Sequence, residues 1–284
     1  MNLLAYITIG INPIAFQLGP LAVHWYGIGY IVGIAVAAWV AIPYGRRRGI
    51  TEDQLWTMLS WGILAGLIGG RLYYVFQNDF GSFLRNPLLI PAVWEGGMAF
   101  YGAIFAVVGL MLYFHLRRGY PLWTFLDVGA LFAVLGQAFG RLGNIVNGDI
   151  LGYPTHLPWG TVYTNPQSLA PQLGVPYQPA AAYELLFNLC FFALLYAFRF
   201  KFRPGWLFVT YLAGYSIGQF GIFFLRSNSV LWLGLKQAQW TAVVVLLADI
   251  ALAVWLARHP VQPAPADEQI ERTGLPAGPQ VPIQ

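Results

Sequence analysis

Seven stretches of this 284-residue chain run for about twenty residues each with almost no charge: 23–44, 54–77, 97–116, 122–144, 179–198, 205–225 and 239–257. A helix needs about 20 apolar residues to cross about 30 Å of hydrocarbon. The pattern predicts an all-α, polytopic membrane protein with about seven transmembrane helices and an outward-facing, loop-rich cap. No strand is expected. Residues 1–259 form one seven-helix domain, within which 145–178 is an outer-face loop region carrying Pro154, Pro158, Pro166, Pro171 and Pro176. Residues 260–284 hold six prolines and read as a disordered tail.

Composition agrees. Only 9% of residues are charged and 58% are apolar, too few charges to cover a soluble globule and too much apolar sequence for disorder. The single cysteine, Cys190, excludes a disulfide framework or a multi-cysteine metal site. It lies mid-span among Leu and Phe and reads as packing.

Where the charges fall says more than the net +4. Arg46, Arg47, Arg48, Arg117, Arg118, Arg199, Lys201, Arg203 and Arg258 follow the odd-numbered spans. Basic loops face the cytoplasm, so the N-terminus is expected outside and the C-terminus inside. No Lys or Arg precedes Arg46, so no basic leader region is expected to be cleaved from the N-terminus. Nucleic acid is not an expected partner. Against this bias stand Arg71, Arg85, Arg141, Arg226 and Lys236, all at outward ends of spans or in outward loops. Snorkelling to headgroups accounts for Arg85 and Lys236. Arg71 and Arg141 lie in glycine-rich helical sequence and point to chemistry on the outer leaflet side.

Four Gly-x-x-x-Gly pairs, beginning at Gly29, Gly66, Gly136 and Gly214, allow close helix approach and carry no functional signal alone. The stretch from Gly140 to Asp149 reads Gly-Arg-Leu-Gly-Asn-Ile-Val-Asn-Gly-Asp. At about 100° per residue, Gln137, Gly140, Arg141, Asn144 and Asn147 share about a third of the helix circumference. Lipid would not tolerate that strip, so it faces protein or a protein-lined cavity. An arginine fork with amide donors beside it suits a phosphate diester.

This stretch resembles the signature of the prolipoprotein diacylglyceryl transferase family, with Asp149 where the family has glutamate. Three further segments resemble family motifs in order: His24-Trp25-Tyr26-Gly27, Trp94-Glu95-Gly96-Gly97-Met98-Ala99-Phe100 and Gln178-Pro179-Ala180-Ala181-Ala182-Tyr183-Glu184. The resemblance covers about residues 18–257. It implies a bacterial inner (plasma) membrane enzyme with phosphatidylglycerol as donor. The acceptor would be the lipobox cysteine thiol of prolipoprotein signal peptides, and glycerol 1-phosphate is released. No cofactor and no metal are implied.

That reaction needs a thiolate and a cation for the departing phosphate. Arg141 is the first candidate for the phosphate, with Asn144 and Asn147 orienting the headgroup. Gly143 and Gly148 would allow backbone to approach it, and Asp149 completes the signature. Arg71 and Arg226 are expected as further cations. Glu184 is expected in an ion pair with an arginine. Tyr26 stands where the family places a functional tyrosine, and His24 at the lip of span 1 is a candidate base. Asp127 and Asp249, inside spans, are expected to be paired and inward-facing.

Besides Asp149, the sequence departs from the family at three places. Tyr101 stands for the family's histidine, a leading base candidate, and is carried here as catalytic. Gln219 stands for an arginine and Phe223 for a glutamate four residues on, a coordinated loss of opposite charges. Gln178 replaces a histidine. A non-catalytic lipid-binding paralogue is therefore the first alternative. A small-solute or ion transporter is the second, disfavoured because the unusual charges gather at one face.

Overall fold

The computed structural model describes residues 6–19, 21–77, 80–93 and 97–261. The expected tail at 260–284 lies almost wholly outside the described residues, as do Trp94, Glu95 and Gly96 of the third motif. Eight helices occupy the described chain: α1 (Trp25–Arg47), α2 (Glu52–Gln77), α3 (Phe80–Arg85), α4 (Phe100–Arg118), α5 (Leu122–Asn147), α6 (Ala180–Phe198), α7 (Trp206–Ile222) and α8 (Gln237–Arg258). All but the short α3 coincide with the seven apolar stretches. Five of them, α1, α2, α5, α6 and α8, are long and apolar enough to cross a membrane.

The expectation of no strand is corrected. Seven short strands, β1 (Ile7–Ile9), β2 (Ile14–Leu18), β3 (Leu21–His24), β4 (Thr161–Tyr163), β5 (Pro176–Tyr177), β6 (Val230–Trp232) and β7 (Leu235–Lys236), lie outside the helices. They are two to five residues long, too short to leave an alternating pattern. β4 pairs in parallel with β1, Ile7 opposite Thr161, and antiparallel with β5, Thr161 opposite Tyr177. β2–β3 and β6–β7 are hairpins that lead directly into α1 and α8.

The chain divides into two compact units. One comprises the described residues within 42–126. Within it α2 packs along α4, and α2 begins with a reciprocal cap. Thr51 N donates to Gln54 Oε1 at 3.2 Å, and Gln54 N donates to Thr51 Oγ1 at 3.3 Å. α4 stops at Gly119, which takes φ 68°.

The other unit holds the described residues within 6–41 and 127–261, with all seven strands. α1 and α5 approach through glycines: a methyl on Gly143 would stand 2.7 Å from Tyr26 Cδ2 and 2.9 Å from Tyr26 Cα. Asp127, 1% exposed, accepts from Gly205 N at 2.7 Å and Phe208 N at 2.8 Å. Its charge caps the N-terminus of α7, so the expected pairing is met by backbone N–H groups. Asp249 is 3% exposed, and its Oδ1 has no hydrogen-bond partner among the described residues. The expectation that it is paired is not met.

Candidate anion site at the ends of α5, α6 and α7

The polar strip of α5 does face protein. Gln137 Nε2 donates to Tyr211 Oη at 2.9 Å, and Gly140 lies against the Tyr30 hydroxyl. One turn on, Arg141 reaches α6: its Nη2 is 2.6 Å from Glu184 Oε2. Arg226, just past α7, places Nη1 3.2 Å from Glu184 Oε1. Gln219 Nε2 donates to Glu184 Oε2 at 3.2 Å. One carboxylate with no exposed surface therefore holds two guanidinium ions and an amide.

Such burial is tolerable because every charge has an opposite partner in contact. The two arginine side chains keep 19% and 13% of their surface exposed. Each can still meet an anion from the open side while Glu184 fixes it from behind. The Nε of each is buried without an acceptor among the described residues, so donor capacity remains unspent at both.

The C-terminal end of α5 extends the cluster. Arg141 Nη1 donates to Asn144 Oδ1 at 3.0 Å, and Asn144 Nδ2 donates to both carboxylate oxygens of Asp149 at 3.1 Å. Asn147 is buried, its Oδ1 has no partner among the described residues, and its backbone carbonyl accepts from Leu169 N at 2.8 Å. Gly148 takes φ 75°, and a methyl there would meet the Tyr163 ring at 2.9 Å. That ring's hydroxyl donates to Ile145 O at 2.7 Å.

Burial raises the Asp149 carboxyl above its ordinary value, opposed by the Asn144 hydrogen bonds and by the Arg141 and Arg226 charges. The Arg226 guanidinium is lowered by burial, with Glu184 working against that. Tyr163 is pushed up to about 12 by burial, then by the Asp149 charge.

Residues 145–178 are tied rather than merely looped. Leu151, Tyr163 and Tyr177 form a small core of their own. Gly152 N donates to Gln178 O at 2.8 Å, Tyr153 N to Leu225 O at 3.1 Å, and Ala181 N to Ile150 O at 3.2 Å. These bonds seat the residues after Asp149 between the entry to α6 and the exit from α7. The Gln178 side chain accepts from Tyr183 Oη at 3.3 Å, and Tyr183 Oη accepts from Trp159 Nε1 at 2.8 Å.

Other expected site residues come from other elements. Tyr26 Oη is 3.0 Å from Tyr30 Oη on α1. His24 is exposed at the end of β3, and Tyr101 is 41% exposed on α4. Arg71, expected as a further phosphate cation, is 6% exposed and donates to three backbone carbonyls. These are Ile90 O at 2.8 Å, Gly97 O at 2.9 Å and Leu89 O at 2.6 Å. Its guanidinium ties the segment between α3 and α4 to α2.

Lys236 is corrected outright. It does not snorkel: it is 4% exposed, and its Nζ donates to Phe223 O at 2.6 Å and to Arg226 O. The coordinated variant Gln219/Phe223 is accounted for physically. Gln219 still donates to Glu184, and the Phe223 ring lies 4.4 Å from the Arg226 guanidinium carbon. Sequence reasoning missed Asn188, which is fully buried one turn along α6 from Glu184, with neither amide atom partnered among the described residues. The i, i+4 spacing from Glu184 was its available signal. Among the described residues no group of three His, Cys, Asp or Glu could hold a metal ion.

Residues 13–255 match the family model described as prolipoprotein diacylglyceryl transferase. A phosphatidylglycerol–prolipoprotein diacylglyceryl transferase of Bordetella bronchiseptica is 36% identical over 259 residues, covering 88% of this chain and 97% of its own. The enzyme of the same name from Lactobacillus acidophilus is 35% identical over 258 residues, covering 88% and 91%. That of Nitrosospira multiformis is 36% identical over 264 residues, covering 87% of each. With a model matched over most of its length and relatives at this identity, the chain belongs to the prolipoprotein diacylglyceryl transferase family.

Proposed function

We propose that this multi-pass membrane enzyme transfers the diacylglyceryl group of phosphatidylglycerol to the cysteine thiol of a prolipoprotein lipobox. The relatives' names supply the donor and the acceptor. The observation that carries the assignment to residues is Glu184, which has no exposed surface and joins Arg141 and Arg226 as a pair with open outer edges. Two preorganised guanidinium groups suit a phosphate that gains charge as it leaves.

In the step itself, the substrate sulfur loses its proton and forms a bond to a glycerol carbon. The bond from that carbon to the phosphate oxygen breaks, its electron pair stays on the oxygen, and glycerol 1-phosphate departs. Arg141 and Arg226 face that oxygen, while Asn144, Asn147 and the backbone at Gly143 and Gly148 orient the headgroup. Asp149, through Asn144, holds the Arg141 fork in place. Gln219 acts through Glu184. Tyr26 borders the site from α1, and Tyr101 and His24 are the groups to test for receipt of the thiol proton. Arg71 belongs to the fold, its donors being committed to carbonyls.

The site lies at the outer leaflet of the bacterial inner membrane, with seven spans, the N-terminus outside and the C-terminus in the cytoplasm. The basic loops after 44, 116, 198 and 257 support that orientation.

The test is turnover by the purified protein with labelled phosphatidylglycerol and a lipobox cysteine peptide, the thioether product scored by mass. Product is expected from the wild type, with loss on the order of a hundredfold or more in Arg141→Ala. Tyr101→Phe and His24→Gln run alongside to locate the proton acceptor. Protein that binds phosphatidylglycerol and yields no thioether overturns the reading in favour of a non-catalytic lipid-binding paralogue.

A further inference from the structure

The first turn of α8 grips the end of α7 at a regular interval. Gln239 Nε2 donates to Phe220 O at 3.1 Å, Lys236 Nζ to Phe223 O at 2.6 Å, and the same Nζ to Arg226 O. The three carbonyls are three residues apart, so one clamp runs from the last turn of α7 to the arginine beyond it. Gln239 also accepts from Lys236 N at 2.9 Å, which ties the two gripping residues to each other. Both are nearly sealed from solvent, 4% exposed at Lys236 and 1% at Gln239.

We propose that Lys236 is a positioning residue for the Arg226 guanidinium. A helix ends with unpaired carbonyls and partial negative charge, which a lysine satisfies. Here the ammonium continues past the helix to Arg226's own carbonyl, fixing the backbone from which that side chain leaves. The other side of the same strand of chain is held by the loop after Asp149: Gly152 bridges Arg226, and Tyr153 N donates to Leu225 O at 3.1 Å. The Tyr153 ring lies 5.0 Å from Lys236 Nζ, so ammonium and loop support each other. Held in this way, Arg226 meets Glu184 with Phe223 packed beneath it.

The inference rests on the transferase reading and is tested within it by a double-mutant cycle. Lys236→Met is made in the wild type and in Arg226→Ala, with kcat/KM for phosphatidylglycerol and titrated binding of phosphatidylglycerol as the two readouts. If Lys236 acts through Arg226, the substitution lowers both readouts about tenfold or more in the wild type. In Arg226→Ala it lowers them by less than about threefold, because the residue it serves is gone. Lys236→Arg is expected to recover part of the loss.

An equal factor in both backgrounds, or no effect in the wild type, overturns the proposal. Thermal melting checks that Lys236→Met folds, and Lys236→Gln replaces it in the same cycle if it does not. A wild type that binds lipid without turnover sinks the transferase reading, whereas the binding cycle still reports on Lys236.

Discussion

Glu184 has no exposed surface, and its Oε2 lies 2.6 Å from Arg141 Nη2 while its Oε1 lies 3.2 Å from Arg226 Nη1. A carboxylate so placed would be costly alone, and two guanidinium groups so close would repel without it. The three charges are stable only as a set. Removing one member therefore does more harm than removing a matched pair.

Glu184→Gln leaves two cations sharing a neutral amide. Breaking a buried pair costs about 3–5 kcal/mol, so a lower melting temperature and loss of turnover are expected together. The double variant Glu184→Gln with Arg141→Met should melt closer to the wild type than the two single losses added together, though it stays inactive. Thermal unfolding of all three proteins in one detergent decides it, and an unchanged melting temperature in Glu184→Gln refutes the argument.

Asp127 illustrates a charge whose task lies wholly in the fold. It caps α7 through Gly205 N and Phe208 N from a distance in sequence of about eighty residues. Asp127→Ala removes both acceptors and should cost about 1–2 kcal/mol. Asp127→Asn, which keeps an oxygen acceptor, should lose less. Turnover per folded molecule should be preserved in each, a comparison that separates this carboxylate from Glu184.

The helices were legible because about twenty uncharged residues in water-excluded surroundings have few alternatives. The polar strip of α5 was legible for the same reason: Arg141, Asn144 and Asn147 on one face need protein around them. The small strands were not, since β5 and β7 have two residues each, too few to show an alternating pattern. Arg71 and Lys236 misled for a related reason. A cation against the charge bias signals a partner, but the partners here are backbone carbonyls, which every residue carries. Arg141 pairs with a side chain, and side chains can be read.

Gly143 tests how tightly α1 must approach α5. An added methyl would meet Tyr26 Cα, a backbone atom that cannot swing aside, at 2.9 Å. Gly143→Ala should cost about 1–3 kcal/mol through overpacking and displace Tyr26. Gly136, two turns earlier on the same side of α5 with no described atom within 4 Å of an added methyl, is the control. Gly136→Ala should stabilise by about 0.5–1 kcal/mol through lower chain entropy in the unfolded state. Equal melting temperatures for the two variants would mean that the helices separate at no cost.

Asp249 is the converse of Glu184. It lies within α8, 3% exposed, with Oδ1 unpartnered among the described residues. A carboxylate at the middle of a span costs about 2.5–3.5 kcal/mol on insertion scales, and nothing described here offsets that. Asp249→Leu should therefore raise the melting temperature, with Asp249→Asn intermediate because its amide is still polar. Turnover of phosphatidylglycerol should persist in both, since the carboxylate belongs to none of the contacts that hold Arg141 or Arg226. A more stable Asp249→Leu protein that no longer turns over would give this residue a task in the reaction, and a less stable one would show that the buried carboxylate has a partner after all.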